Sequence, residues 1–346
     1  MNNFAAVGLA GAAGLAVTTG LGFAMVPWLR KLKFGQTILD IGPKWHKSKQ
    51  GTPTMGGLMF IIGTVAAIAV TVITDKLTGG DIVASGSLVP SEMYTRLWSG
   101  LVMALSFGLI GFADDYIKIV RGRNLGLTIK QKTLAQLLVC VAYLMGLYMS
   151  MDGAPYMFVP FVGMVEIGFF HWIFGIVIIY ASVNAVNFTD GVDGLCSSVT
   201  VTAAVSLGVI AGLKGLFGFS MAAAALAGAC VGFLFWNKNP AKVFMGDTGS
   251  MFLGGMVVAL AYALGCPLIL LLAGVVYVVE GASDVLQIVY YRVTGGKRIF
   301  KMAPIHHHFE LCGWSEKKIV AVFSAVNALG GGAAVAIMYY GGYIVK

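Results

Sequence analysis

Two adjacent carboxylates at Asp114 and Asp115, a third at Asp247 and three consecutive imidazoles, His306, His307 and His308, are the side chains best suited to chemistry. Adjacent carboxylates repel, so such a pair is most useful beside a divalent cation or a proton that must be managed. Asp247 lies in Phe244-Met-Gly-Asp-Thr-Gly-Ser250. A glycine-flanked helix start of this kind presents free N–H groups to phosphate, and its carboxylate can hold magnesium. Plainer roles fit the same residues: Asp247 or Thr248 as a helix cap, Asp114-Asp115 as a solvated helix end, and Phe244 as an interfacial anchor rather than a base-stacking ring. Asn184-Ala-Val-Asn187-Phe-Thr-Asp190-Gly-Val-Asp193-Gly194 offers hydrogen bonds to a ribose, a base or a hydrated metal. It lacks the ligand spacing and closing Glu of a calcium loop. The three imidazoles point in different directions, which disfavours zinc and suits an anionic, polar substrate.

The elements that must position these groups are set by composition. Charged residues make up 11% of the 346, hydrophobic ones 58%, and the mean hydropathy is +0.86. These values describe an all-α polytopic membrane protein, expected to be a single integral membrane domain over residues 1–346. Ten apolar segments are long enough to be helices: 4–29, 55–74, 97–113, 133–151, 169–186, 197–213, 219–236, 250–264, 267–291 and 319–340. Residues 157–168 are apolar but short and carry Pro160, Gly163 and Glu166, the signature of a hairpin or interfacial segment. The first segment lacks a basic leader and is too long for a signal peptide core, so it reads as a retained helix.

Ten helices put the loops near 30–54, 114–132, 187–196, 237–249 and 292–318 on one face. Those loops hold 19 of the 23 Lys and Arg, leaving Lys76, Arg96, Lys214 and Lys346 opposite. By the positive-inside rule the shared face is cytoplasmic and both termini are periplasmic. Lys49, Lys118, Lys130 and Lys132 share that face and could neutralise phosphate, although each also fits as an ordinary topology-setting lysine. The net charge of +8 follows from this asymmetry and needs no nucleic acid. Five scattered cysteines show no metal-ligand or disulfide spacing. Asp284, near Glu280 and Gln287 in the ninth segment, stands where an apolar residue is expected.

Gly51-Thr-Pro-Thr-Met-Gly-Gly57, Asp114-Asp115, Asn187-Phe-Thr-Asp-Gly-Val-Asp-Gly-Leu195, Phe244-Met-Gly-Asp-Thr-Gly-Ser250 and Pro304-Ile-His-His-His-Phe-Glu310 together resemble the phospho-N-acetylmuramoyl-pentapeptide-transferase family. The resemblance runs in order from about residue 34 to 315, and it implies a ten-helix enzyme of the bacterial inner membrane. Such an enzyme moves phospho-MurNAc-pentapeptide from UDP-MurNAc-pentapeptide to undecaprenyl phosphate within the lipid bilayer, with magnesium, giving lipid I and UMP. It further implies Asp247 as the magnesium ligand, Asp114 and Asp115 as base or as organisers of the lipid phosphate, and a homodimer. Asn187, Asp193 and Phe244 would hold uridine; Lys49, Lys118, Lys130, Asp190 and Asn237 would surround the diphosphate and sugar; His306, His307 and His308 would contact substrate, His306 nearest the chemistry. The related GlcNAc-1-phosphate transferases share the acidic motifs, and a nucleotide-sugar carrier is the alternative from another class.

Overall fold

The computed structural model describes residues 1–32, 49, 51–87, 89–122 and 125–344, so most of the expected first loop and Lys346 lie outside the described residues. In chain order the helices are α1 (Asn3–Lys31), α2 (Gly57–Leu77), α3 (Pro90–Val120), α4 (Ile129–Ser150), α5 (Phe170–Phe188), α6 (Leu195–Leu213), α7 (Phe217–Asn237), α8 (Gly246–Ala263), α9 (Leu270–Ala273), α10 (Val275–Val293), α11 (Ile305–Leu311) and α12 (Glu316–Tyr340). Between α4 and α5 stands the expected hairpin, β1 (Tyr156–Val159) paired antiparallel with β2 (Gly163–Glu166). Each of the ten expected apolar segments is helical. By length and composition, eight helices among the described residues could cross a membrane, and nine if the bent pair α9–α10 is one span.

Helix contacts rest on small residues, because lipid is as apolar as leucine and close backbone approach must supply the attraction. On α1 the buried stripe Ala6, Ala10, Gly14, Thr18 and Gly22 repeats every four residues and lies chiefly against α7. The central helix is α8, whose residues from Thr248 to Ala263 are all buried. It packs on α2, α3, α5, α6 and α7. Gly111 of α3 approaches so closely that a Cβ there would fall 2.1 Å from the Asp247 carbonyl oxygen.

Three boundaries differ from expectation. The third segment continues past residue 113 to Val120, so Asp114 and Asp115 sit inside α3 and not at its end. The eighth begins at Gly246, four residues before the apolar run, because hydropathy cannot see a polar first turn. The ninth, read as one run over 267–291, turns by 89° at Gly274. Asn327 of α12 satisfies the backbone at that break: its Oδ1 accepts the Val276 N–H at 3.2 Å and its Nδ2 donates to the Ala273 carbonyl at 3.0 Å. In a bilayer interior such groups must find partners within the protein.

Gly111→Ala is expected to push α3 and α8 apart and to destabilise by about 1–3 kcal/mol, as overpacking does. Thermal unfolding in detergent checks this, and an unchanged midpoint would show that the contact is slack.

Candidate active site

The chemistry-bearing residues meet at the N-terminus of α8. Gly246 starts the helix at φ +69°, a left-handed conformation that glycine adopts freely. A Cβ at that position would also lie 2.4 Å from Asp115 Oδ2, so the site has no room for one. Asp115 Oδ2 accepts the Thr248 N–H at 2.9 Å and the Thr248 hydroxyl at 2.7 Å, while Oδ1 accepts the Asp247 N–H at 3.3 Å. A carboxylate from α3 thus serves the free donors of the first turn of α8, where the helix dipole favours negative charge. Neither Asp247 nor Thr248 is the cap; that position is Met245, without a side-chain bond. The Asp247 side chain is therefore released for other work.

Asp114 Oδ1 accepts the Leu127 N–H at 2.8 Å, which ties down the loop after α3, and Oδ2 pairs with Lys118 Nζ at 2.6 Å. Lys118 also reaches Asp247 Oδ2 at 3.2 Å, and Lys132 reaches the same oxygen at 2.7 Å. Asn187 Nδ2 donates to Asp247 Oδ1 at 3.0 Å and to Ser250 Oγ at 2.7 Å. Asp114 and Asp115 are only 3% and 4% exposed, which removes the reading of a solvated helix end. One oxygen from each of Asp114, Asp115 and Asp247 lies within 4.8 Å of the others. Three hard oxygen donors at this spacing could hold a divalent cation, and the two ammonium groups lie in the same negative field.

A second ion network flanks the first. Lys49 Nζ lies 2.7 Å from Asp193 Oδ1 and 2.8 Å from Glu316 of α12. Asp193 Oδ2 accepts the Ala241 N–H at 2.9 Å and Asn239 Nδ2 at 3.4 Å. Asn237 spends its side chain on the Gly194 N–H and the Val243 carbonyl, each at 3.0 Å, so it braces two loops. Phe244 is half-buried and its backbone pairs with Pro53 and Gly56 at 2.8 Å, joining the Gly51–Gly57 motif to the start of α8. Burial, then the charges of Asp247, Asp115 and Asp193, push the half-buried Asp190 carboxyl well above its usual range, with Lys49 opposing. A carboxyl so placed holds its proton to higher pH than a free one.

Lys130 is exposed and forms no ion pair with the three carboxylates among the described residues, whereas Lys132 pairs with Asp247. The two lie about 200° apart around α4, and Lys132 continues the buried stripe of Gln136 and Cys140. Glu316 was missed because no motif in the sequence marks it, and Ser250, although it closes the Phe244–Ser250 motif, was given no role. His306 is buried and paired with Glu280 of α10. His307 lies 2.6 Å from Glu310, and His308 Nδ1 accepts the Lys301 N–H at 3.1 Å, so the three rings serve different partners. Asp284 is half-buried with no hydrogen bond among the described residues.

Residues 97–265, which include the carboxylate cluster and α8, match the family model of glycosyl transferase family 4. Fold, site and this match define a membrane-embedded glycosyl-1-phosphate transferase. Residues 49–61 match signature 1 of phospho-N-acetylmuramoyl-pentapeptide-transferase. Curated proteins of that name are similar along most of their length. One from Listeria monocytogenes serovar 1/2a is 43% identical over 306 residues, 88% of this chain and 90% of the relative. One from Acetivibrio thermocellus is 44% identical over 313 residues, 89% and 88%. One from Bacillus mycoides is 41% identical over 331 residues, 91% and 95%. The chain belongs to the phospho-N-acetylmuramoyl-pentapeptide-transferase family.

Removing Lys132 while keeping Lys130 separates the two lysines. Lys132→Ala is expected to lower transferase turnover at least tenfold, and Lys130→Ala to leave it within twofold, in steady-state assays of purified protein. The reverse order would return Lys130 to the site.

Proposed function

We propose that the chain transfers phospho-MurNAc-pentapeptide from UDP-MurNAc-pentapeptide to undecaprenyl phosphate, giving lipid I and UMP, with the site on the cytoplasmic face of the bacterial inner membrane. The observation that carries this reading is the meeting of Asp114, Asp115 and Asp247 with Lys118 and Lys132 at one end of the helical bundle. One substrate is soluble and anionic and the other is anchored in lipid, so a site at the helix ends can receive both. An oxygen of the lipid phosphate attacks the sugar-linked phosphorus, and the bond to the UMP oxygen breaks. One diphosphate bond replaces another, and UMP leaves as a phosphate whose second pKa is about 6, so no strong general acid is required.

Lys118 and Lys132 offset charge on the diphosphate, the role such cations play in phosphoryl transfer. Asp114, Asp115 and Asp247 supply the oxygens that would hold magnesium. When bound, the ion polarises phosphoryl oxygens and helps hold the two phosphates together. Asn187 keeps Asp247 in place through its amide. Asp115 orients the first turn of α8 and is the stronger candidate for an organising role, since its oxygens already accept three hydrogen bonds. Asp114 and Asp247, which carry the lysines, face the reacting phosphates. Asp193, Asp190 and Phe244 line the neighbouring loops, where the uridine and sugar would lie.

Asp247→Ala is expected to reduce UMP release and lipid-linked product at least about 100-fold, while the protein stays folded and extractable. Chelation should abolish turnover and added magnesium restore it. The assay runs UDP-MurNAc-pentapeptide beside UDP-GlcNAc. Product from the second donor alone would move the chain's substrate to the smaller sugar, and full activity in Asp247→Ala would remove the assignment of that residue.

A further inference from the structure

Among the described residues, two polar atoms buried without a partner lie on neighbouring side chains: Glu280 Oε1 and His306 Nε2. Both side chains are fully buried. Glu280 belongs to α10 and His306 to the first turn of α11, and His306 Nδ1 lies 2.9 Å from Glu280 Oε2. A carboxylate accepts and does not donate, so this bond puts the imidazole proton on Nδ1 and leaves Nε2 as the atom free to meet something else. Nε2 faces the acidic loop. A Cβ on Gly191, the residue after Asp190, would fall 2.2 Å from it.

Other residues of α10 share the docking of α11 and of the loop before it. Ser283 and Gln287 lie on the same face of α10, at spacings of three and seven from Glu280. Ser283 Oγ accepts the Ile305 N–H at 3.0 Å, and Gln287 Oε1 accepts the Ile299 and Phe300 N–H groups at 3.0 and 3.1 Å. These two residues serve backbone, whereas Glu280 serves a ring. A fully buried carboxylate is costly to desolvate, and the neutral Ser283 and Gln287, one and two turns away, already hold Ile305 and the loop at residues 299–300.

We propose that Glu280 is a positioning residue of the transferase: its carboxylate fixes the His306 proton on Nδ1 and aims Nε2 at the loop around Gly191, where the nucleotide-sugar enters. The proposal rests on the function assigned above. In the neutral ring Nε2 is an unprotonated, compact contact against Gly191, so the ring sets the position of the loop that carries Asp190 and Asp193, and through it the donor substrate. Carboxylate–histidine pairs of this kind set ring orientation and tautomer in many enzyme sites.

The test uses the full chain in detergent with 15N-labelled histidine, the His306 signals being assigned by their loss in His306→Gln. The expected wild-type signature is a protonated Nδ1 and a bare Nε2. Glu280→Leu should change that signature and lower kcat at least tenfold, while Glu280→Gln, whose amide oxygen can still accept, should recover at least a third of the wild-type rate. In a His306→Gln background, Glu280→Leu should change kcat by less than twofold, because the two residues act as one unit. A wild-type His306 protonated on Nε2 alone, full kcat in Glu280→Leu, or equal losses in both backgrounds would each overturn the proposal. If Glu280→Leu does not fold, the wild-type signature and the rate of Glu280→Gln decide. If no nucleotide-sugar turns over in the wild-type protein, the assigned reaction fails, and the tautomer and its dependence on Glu280 then report on the positioning role separately.

Discussion

The hydrogen bonds from the first turn of α8 to Asp115 are the constraint on which the site depends. An α-helix starts with N–H groups that have no partner within the helix, and inside a membrane protein they must find one. Here the partner is a carboxylate on α3, so one interaction does three things. It terminates α8, joins the two helices and places Asp115 among the groups that handle charge. The glycines follow from it: Gly246 because Asp115 lies against its Cα, and Gly111 because α3 must come within backbone contact of the Asp247 carbonyl. A small change in this contact would move Asp247 relative to Asp114 and both lysines. Helix packing and the placement of the charged groups are therefore coupled at this end of the bundle.

The expected apolar segments are all helical because such runs have few other options in lipid, although among the described residues eight, or nine with the bent pair, are long and apolar enough to cross it. What hydropathy could not resolve were the ends and the break. Asp114 and Asp115 looked like residues beyond a helix because they are polar, yet α3 runs on to Val120 with both buried beneath neighbouring elements. The bend at Gly274 is hidden in a continuous apolar run. Its partner, Asn327, reads in the sequence as one polar residue in the last helix, and only the contact with Ala273 and Val276 explains it.

The site was legible as motifs more than as faces. The carboxylates, Lys118 and Asn187 converge as their residue types suggested, because oxygen-rich groups in an apolar chain have little else to do. That Lys132 and not Lys130 reaches Asp247 has a physical reason. On a soluble helix the apolar side marks the core, but here Leu134 and Leu138 are exposed and Gln136 is buried, so polarity points inward. Asn237 is engaged differently, its amide bonding the Gly194 N–H and the Val243 carbonyl. Glu280 and Glu316 stand outside the recognisable motifs and become visible only through the rings and ammonium groups they hold.

Because protein sheathes α8 from Thr248 to Ala263, bilayer thickness acts on the outer helices and not on the rod that carries the carboxylates. A thicker or thinner membrane would tilt α1, α4 or α12, whose outer faces meet lipid, and the strain would be absorbed around a shaft that lipid does not touch. The reacting end is thereby insulated from hydrophobic mismatch, and membranes of different composition can host the same geometry at the tip of α8.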